Sequence, residues 1–75
     1  MSGADRVVKR SLTVAGHRTS VSLEDVFWME LKGAAVAEDR SLASLVAAID
    51  ATRGAANLSS ALRLYVVRRL QRRAQ

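Results

Sequence analysis

Cysteine and proline are absent from this chain, histidine occurs once, and aromatic side chains make up only 4% of it. Without cysteine no disulfide can brace the fold, and one imidazole cannot supply the three or four ligands of a structural metal site, so no metal is expected. No apolar run approaches the roughly 18 to 20 residues of a membrane span. The opening M-S-G-A-D-R-V-V-K-R also lacks the continuous apolar core of a secretory signal. A soluble, cytoplasmic protein is the expectation. Paired catalytic carboxylates, a nucleophile beside a base and a phosphate-cradling glycine loop are likewise missing, and His17 alone makes no catalytic argument. Neither enzyme chemistry nor a cofactor is expected. At 75 residues the chain is one domain, near the size at which burial barely offsets lost conformational entropy. With disulfides and metals unavailable, a partner chain is the remaining support.

What the chain does contain is apolar surface and positive charge. Hydrophobic residues are 49% of the sequence, enough to fold, and the net charge of +5 with a pI of about 11.1 implies an anionic partner, nucleic acid or a membrane surface. The stretch R-T-S-V-S-L-E-D is the most informative. Arg18, Ser20 and Ser22 alternate with Thr19, Val21 and Leu23, the period-two pattern of a half-buried strand. Upstream, across Gly16, K-R-S-L-T-V-A reads as a second, less regular extended piece, with the glycine allowing a tight turn or a change of direction.

From Glu24 the period becomes helical, with Phe27, Leu31, Ala34 and Ala35 on one face beside Trp28, and Ser22 with Asp25 at capping-box spacing. A second stripe, Val26, Met29, Gly33 and Val36, reads either as tolerated surface or as a face covered by another helix or subunit, with Gly33 permitting close approach. The run E-D-R turns the chain at Asp39 or Arg40, and Ser41 is a natural N-cap for a second helix with Leu42, Leu45, Val46 and Ile49 on its apolar face. Gly54 stops that helix. A third begins near Asn57 or Ser59 and buries Leu58, Ala61, Leu62, Tyr65 and Val66.

This order, with R-T-S-V-S-L entering L-E-D-V-F-W-M-E-L, resembles the ribbon-helix-helix family of bacterial DNA-binding proteins. The minimal resemblance runs from Arg18 to about Arg53. With V-K-R-S-L upstream and N-L-S-S-A-L-R downstream, the whole chain is similar to a short subgroup with an additional C-terminal helix. The resemblance implies a mainly α fold with a short β-ribbon, an intertwined homodimer whose two-stranded antiparallel sheet is intermolecular, and a third helix. It divides the chain into an N-terminal arm or additional strand (1–17), the DNA-binding core (18–54) and a C-terminal helix packed on the dimer (55–75). The dimer core it implies is Val21, Leu23, Phe27, Leu31, Leu45, Val46 and Ile49.

Function follows from the same resemblance. The ribbon enters the major groove of double-stranded DNA and Arg18, Ser20 and Ser22 contact bases, although the same residues also suit a solvated strand face and Ser22 also suits a helix cap. The resemblance places phosphates at the amino end of the second helix, at Ser41, Leu42, Ala43 and Ser44; of Lys9, Arg10 and His17 just upstream of the reading strand, which suit either backbone phosphates or a solvated arm, Arg10 is the expected phosphate contact. Glycine is common in the family at the turn that here reads E-D-R. The expected role is a homodimeric, sequence-specific transcription regulator acting as a repressor, nucleoid-associated when bound, with assembly beyond the dimer left open. Two alternatives stand beside it. One is an antitoxin that grips a toxin with its C-terminal extension. The other is a membrane-surface or non-specific anion binder using the basic helix that carries Arg68, Arg69, Arg72 and Arg73.

Overall fold

A computed structural model describes residues 6–55 and 57–74; residues 1–5 of the expected N-terminal arm lie outside it, as do residues 56 and 75 of the C-terminal segment. Two strands precede three helices: β1 (Val7–Val14), β2 (His17–Glu24), α1 (Asp25–Ala37), α2 (Leu42–Thr52) and α3 (Leu58–Arg73).

The two strands form one antiparallel hairpin, in register from Val14 opposite His17 to Val7 opposite Glu24. Its two-residue loop is Ala15 and Gly16, with φ of 52° and 85°. Positive φ at both positions defines a mirror-image type I′ turn, whose twist matches that of the flanking strands. The strand Arg18–Leu23 therefore pairs with β1 of its own chain. A two-residue loop brings β1 to β2 at almost no loop-closure cost, so the nearest available partner is the chain's own.

Alternation sends Val14, Val21 and Leu23 into the core and leaves Lys9, Ser11, Thr13, Arg18, Ser20 and Ser22 in solvent. The helices close the inward face. Leu31, Ala34 and Ala35 of α1, Leu45, Val46 and Ile49 of α2, and Leu62 and Val66 of α3 are buried together with the strand residues. The residues expected in a dimer core are therefore buried inside a single chain, except for half-buried Phe27.

Each helix end has a local cause. The Ser22–Asp25 capping box does not form: the N-cap of α1 is Glu24, and its side chain makes no capping bond. The ladder runs on instead, as the Asp25 amide donates to the Arg6 carbonyl at 3.2 Å. At the other end of α1, Arg40 N–H donates to the Ala35 carbonyl and Asp39 N–H to that of Val36, both at 3.0 Å. With Asp39 at φ 55° this is a Schellman stop, an aspartate occupying the left-handed position usually given to glycine. Ser41 caps α2 through the Ser44 amide at 3.0 Å, and Asn57 caps α3 through the Ser60 amide at 2.8 Å. Both bonds satisfy amides that a helix start leaves without partners.

Polar contacts fasten α3 to α1. Tyr65 Oη donates to Glu38 Oε2 at 2.6 Å, and Arg69 lies 4.0 Å from Glu30. On the opposite side of α1, the stripe noted in the sequence is open to solvent: Met29 is 68% and Val36 80% exposed, and a side chain added at Gly33 would meet nothing within 4 Å.

Candidate nucleic-acid interface

The outward face of the hairpin is a comb built from both strands. Thr13 stands opposite Arg18, Ser11 opposite Ser20 and Lys9 opposite Ser22, and all six residues are exposed. Lys9, Ser11, Arg18, Thr19 and Ser20 line a shallow depression of about 300 Å³ on the sheet. Neither Lys9 nor Arg18 has a carboxylate partner among the described residues. The ribbon thus presents two uncompensated cations amid four hydroxyl groups, chemistry suited to phosphate oxygens and to the base edges of a groove.

Its inward face treats positive charge in the opposite way. Arg10, expected on DNA phosphates, sits on β1 between inward-facing Val8 and Leu12 with only 18% of its side chain exposed. Its guanidinium is ion-paired with Asp25 and lies over the Trp28 ring, 4.8 Å from the centroid. A half-buried guanidinium needs a counter-charge, and Asp25 provides it. Arg10 thus ties β1 to the start of α1 and does not point toward the comb.

At Ser22 the free edge of β2 is covered by α3. Ser22 N–H donates to Ser59 Oγ at 3.2 Å, and Arg63 donates to the Ser22 carbonyl at 3.1 Å and through Nε to Glu24 Oε1 at 3.0 Å. Ser22 is thus held through its backbone, leaving its side chain exposed on the comb. The Glu24 carboxyl is held below its ordinary value first by its own backbone amide and then by Arg63. The guanidinium of Arg63 also lies 5.9 Å from the Phe27 ring centroid.

At the amino end of α2, Ser41 Oγ and the Ser44 amide satisfy each other. That leaves the Leu42 and Ala43 amides as the unsatisfied donors of the first turn. Sequence reading missed Arg40 here. Its guanidinium donates to Ser44 Oγ at 2.8 and 3.1 Å and to the Ser44 carbonyl at 3.0 Å, and it is ion-paired with Glu38 at 3.4 Å. The Ser44 hydroxyl is occupied by that contact. Only the separation of four residues between Arg40 and Ser44 hinted at it.

The arginines of α3 divide. Arg69 approaches Glu30, whereas Arg68 and Arg72 border a groove of about 410 Å³ between α2 and α3 whose apolar wall includes Ile49, Ala61 and Leu64. Among the described residues, no helix is long and apolar enough to cross a membrane.

Comparison with known proteins gives one family match, to the ribbon-helix-helix domain over residues 7–70. The match starts at the first residue of β1 and extends through most of α3. This chain belongs to the ribbon-helix-helix family, a DNA-binding, non-enzymatic family of transcription-regulator type whose members typically bind DNA as dimers. No curated relative and no solved structure matches it.

Proposed function

We propose that the protein is a homodimeric, sequence-specific transcription regulator that lays its hairpin in the major groove of double-stranded DNA and represses by occluding a promoter. The observation that carries this reading is the electrostatic sorting of the ribbon. Inward-facing Arg10 is neutralised by Asp25, while outward-facing Arg18 is exposed, flanked by Ser20 and Ser22, and without a carboxylate partner among the described residues. Arg18 has the reach and fork geometry to donate to guanine O6 and N7, and the two serines donate or accept with less discrimination.

Phosphate binding belongs to the Leu42 and Ala43 amides, with Ser41 and Ser44 around them and Arg40 supplying charge. A second copy would cover the open row Val26, Met29 and Val36, where Gly33 permits close approach. The alternative of a basic helix lying on a membrane has less support, because Leu62 and Val66 turn the main apolar face of α3 into the core.

Selection of bound sequences from a random duplex pool, with light-scattering mass measurement, tests the reading. A defined motif bound by a dimer, with Arg18→Ala relaxing preference at one position, is the expected result. Equal discrimination by wild type and Arg18→Ala overturns the assignment of the reading face.

A further inference from the structure

We infer that β1 is a second reading strand, and that Lys9 contacts a guanine of its own, so that one chain recognises two guanines about four base pairs apart. This rests on the DNA-binding reading above and extends it to a strand that the family's single ribbon strand per chain does not supply. The hairpin register is the basis. Because β1 and β2 pair within one chain, the outward residues of β1 lie on the same surface as Arg18, in fixed cross-strand positions.

The two cations sit at opposite ends of that surface. Arg18 is next to the turn, paired with Thr13; Lys9 is near the helix end, paired with Ser22. Between them stand Ser11 and Ser20, directly opposite each other. The span from Arg18 to the level of Ser22 is four residues of β-strand, about 13 Å at the usual rise per residue. Divided by the roughly 3.4 Å between stacked base pairs, this is about four steps along the duplex.

Chemistry then assigns each end. Arginine and lysine are both suited to guanine O6 and N7, whereas hydroxyl groups donate or accept and tolerate several bases. A guanine at each end with a permissive centre follows. Lys9 is exposed and free of any carboxylate among the described residues, so no internal contact competes for its ammonium group. It also lies on the reading surface, unlike Arg10 beside it.

The test is selection from a random duplex pool with full-length wild type, Lys9→Ala and Arg18→Ala, each checked for an unchanged melting profile. Wild type should enrich two guanines about four base pairs apart. Lys9→Ala should lose about ten-fold discrimination at one of them and keep the other; Arg18→Ala should do the reverse. If Lys9→Ala keeps both guanines and only binds more weakly to all sequences, with a salt dependence shallower by about one ion, Lys9 is a phosphate contact and the inference fails while the DNA-binding reading stands. If wild type enriches no sequence, both fail.

Discussion

Arg63 of α3 donates to the carbonyl oxygen of Ser22 at 3.1 Å, joining the last helix to the edge of the ribbon. The same side chain reaches the Glu24 carboxylate and the Phe27 ring, so α3 does more than fill the core. Arg63→Ala should destabilise the fold by about 1 kcal/mol through the lost Ser22 carbonyl bond alone. Hydrogen exchange should show where: the Ser22 amide should exchange faster in the variant while amides in the middle of α1 change little. Uniform acceleration would mean that Arg63 acts on global stability only.

The Tyr65–Glu38 contact gives stability a pH signature. Donation from Tyr65 is the main reason the Glu38 carboxyl titrates below its ordinary 4.5, so the contact stabilises the fold above that pH and is lost as pH falls through the lowered value. Tyr65 is shifted upward from 10.0, first by burial and then by Glu38, so its contribution is present below pH 10 and fades as pH rises through the raised value. Tyr65→Phe should flatten both limbs of a melting-temperature profile. Parallel profiles for variant and wild type would show that the contact contributes nothing measurable.

Among the described residues, two with side chains hold left-handed backbone, Ala15 and Asp39. Asp39→Gly should stabilise the fold by about 0.5 kcal/mol, since relief of the left-handed cost is partly offset by the greater freedom of glycine when unfolded. Ala15→Asn should gain a similar amount by placing the favoured Asn-Gly pair in a type I′ turn. Chemical denaturation measures both, and a loss of stability in either contradicts the geometry of that turn.

Met29 and Val36 are exposed on one chain and are the natural place for a second copy. Replacing both with lysine should leave the secondary structure unchanged and shift the light-scattering mass from dimer toward monomer. A dimer unaffected by the double substitution places the interface elsewhere.

Arg40 should matter for affinity and not for sequence choice. Arg40→Ala is expected to weaken binding to all duplexes alike and to lower the slope of log affinity against log salt by about one. A change in the selected motif would mean that Arg40 reaches a base.

What could be read from the sequence was local. The alternation from Arg18 to Leu23, the 3.6-residue stripes of α1 and α2, and the Ser41 cap all lie within a few residues of their causes, and the structure contains each of them. The partner of β2 was obscured by Arg10, which occupies an inward position and makes V-K-R-S-L-T-V look irregular. The residue that neutralises it, Asp25, lies 15 positions further on. The turn was obscured as well, because Ala15 is not the residue that a type I′ turn favours. On the site, Arg18, Ser20 and Ser22 face solvent as their alternation implies, but the attachment of Ser22 to Arg63 spans 41 positions and leaves no periodic trace.

The hairpin turn at Ala15 and Gly16 also bears on how the molecule assembles in time. Strands joined by two residues meet within microseconds, whereas the bonds from α3 to Ser22 must close gaps of 37 and 41 positions and so come late. As the chain leaves the ribosome, the comb would already exist before its last helix arrives to lock it.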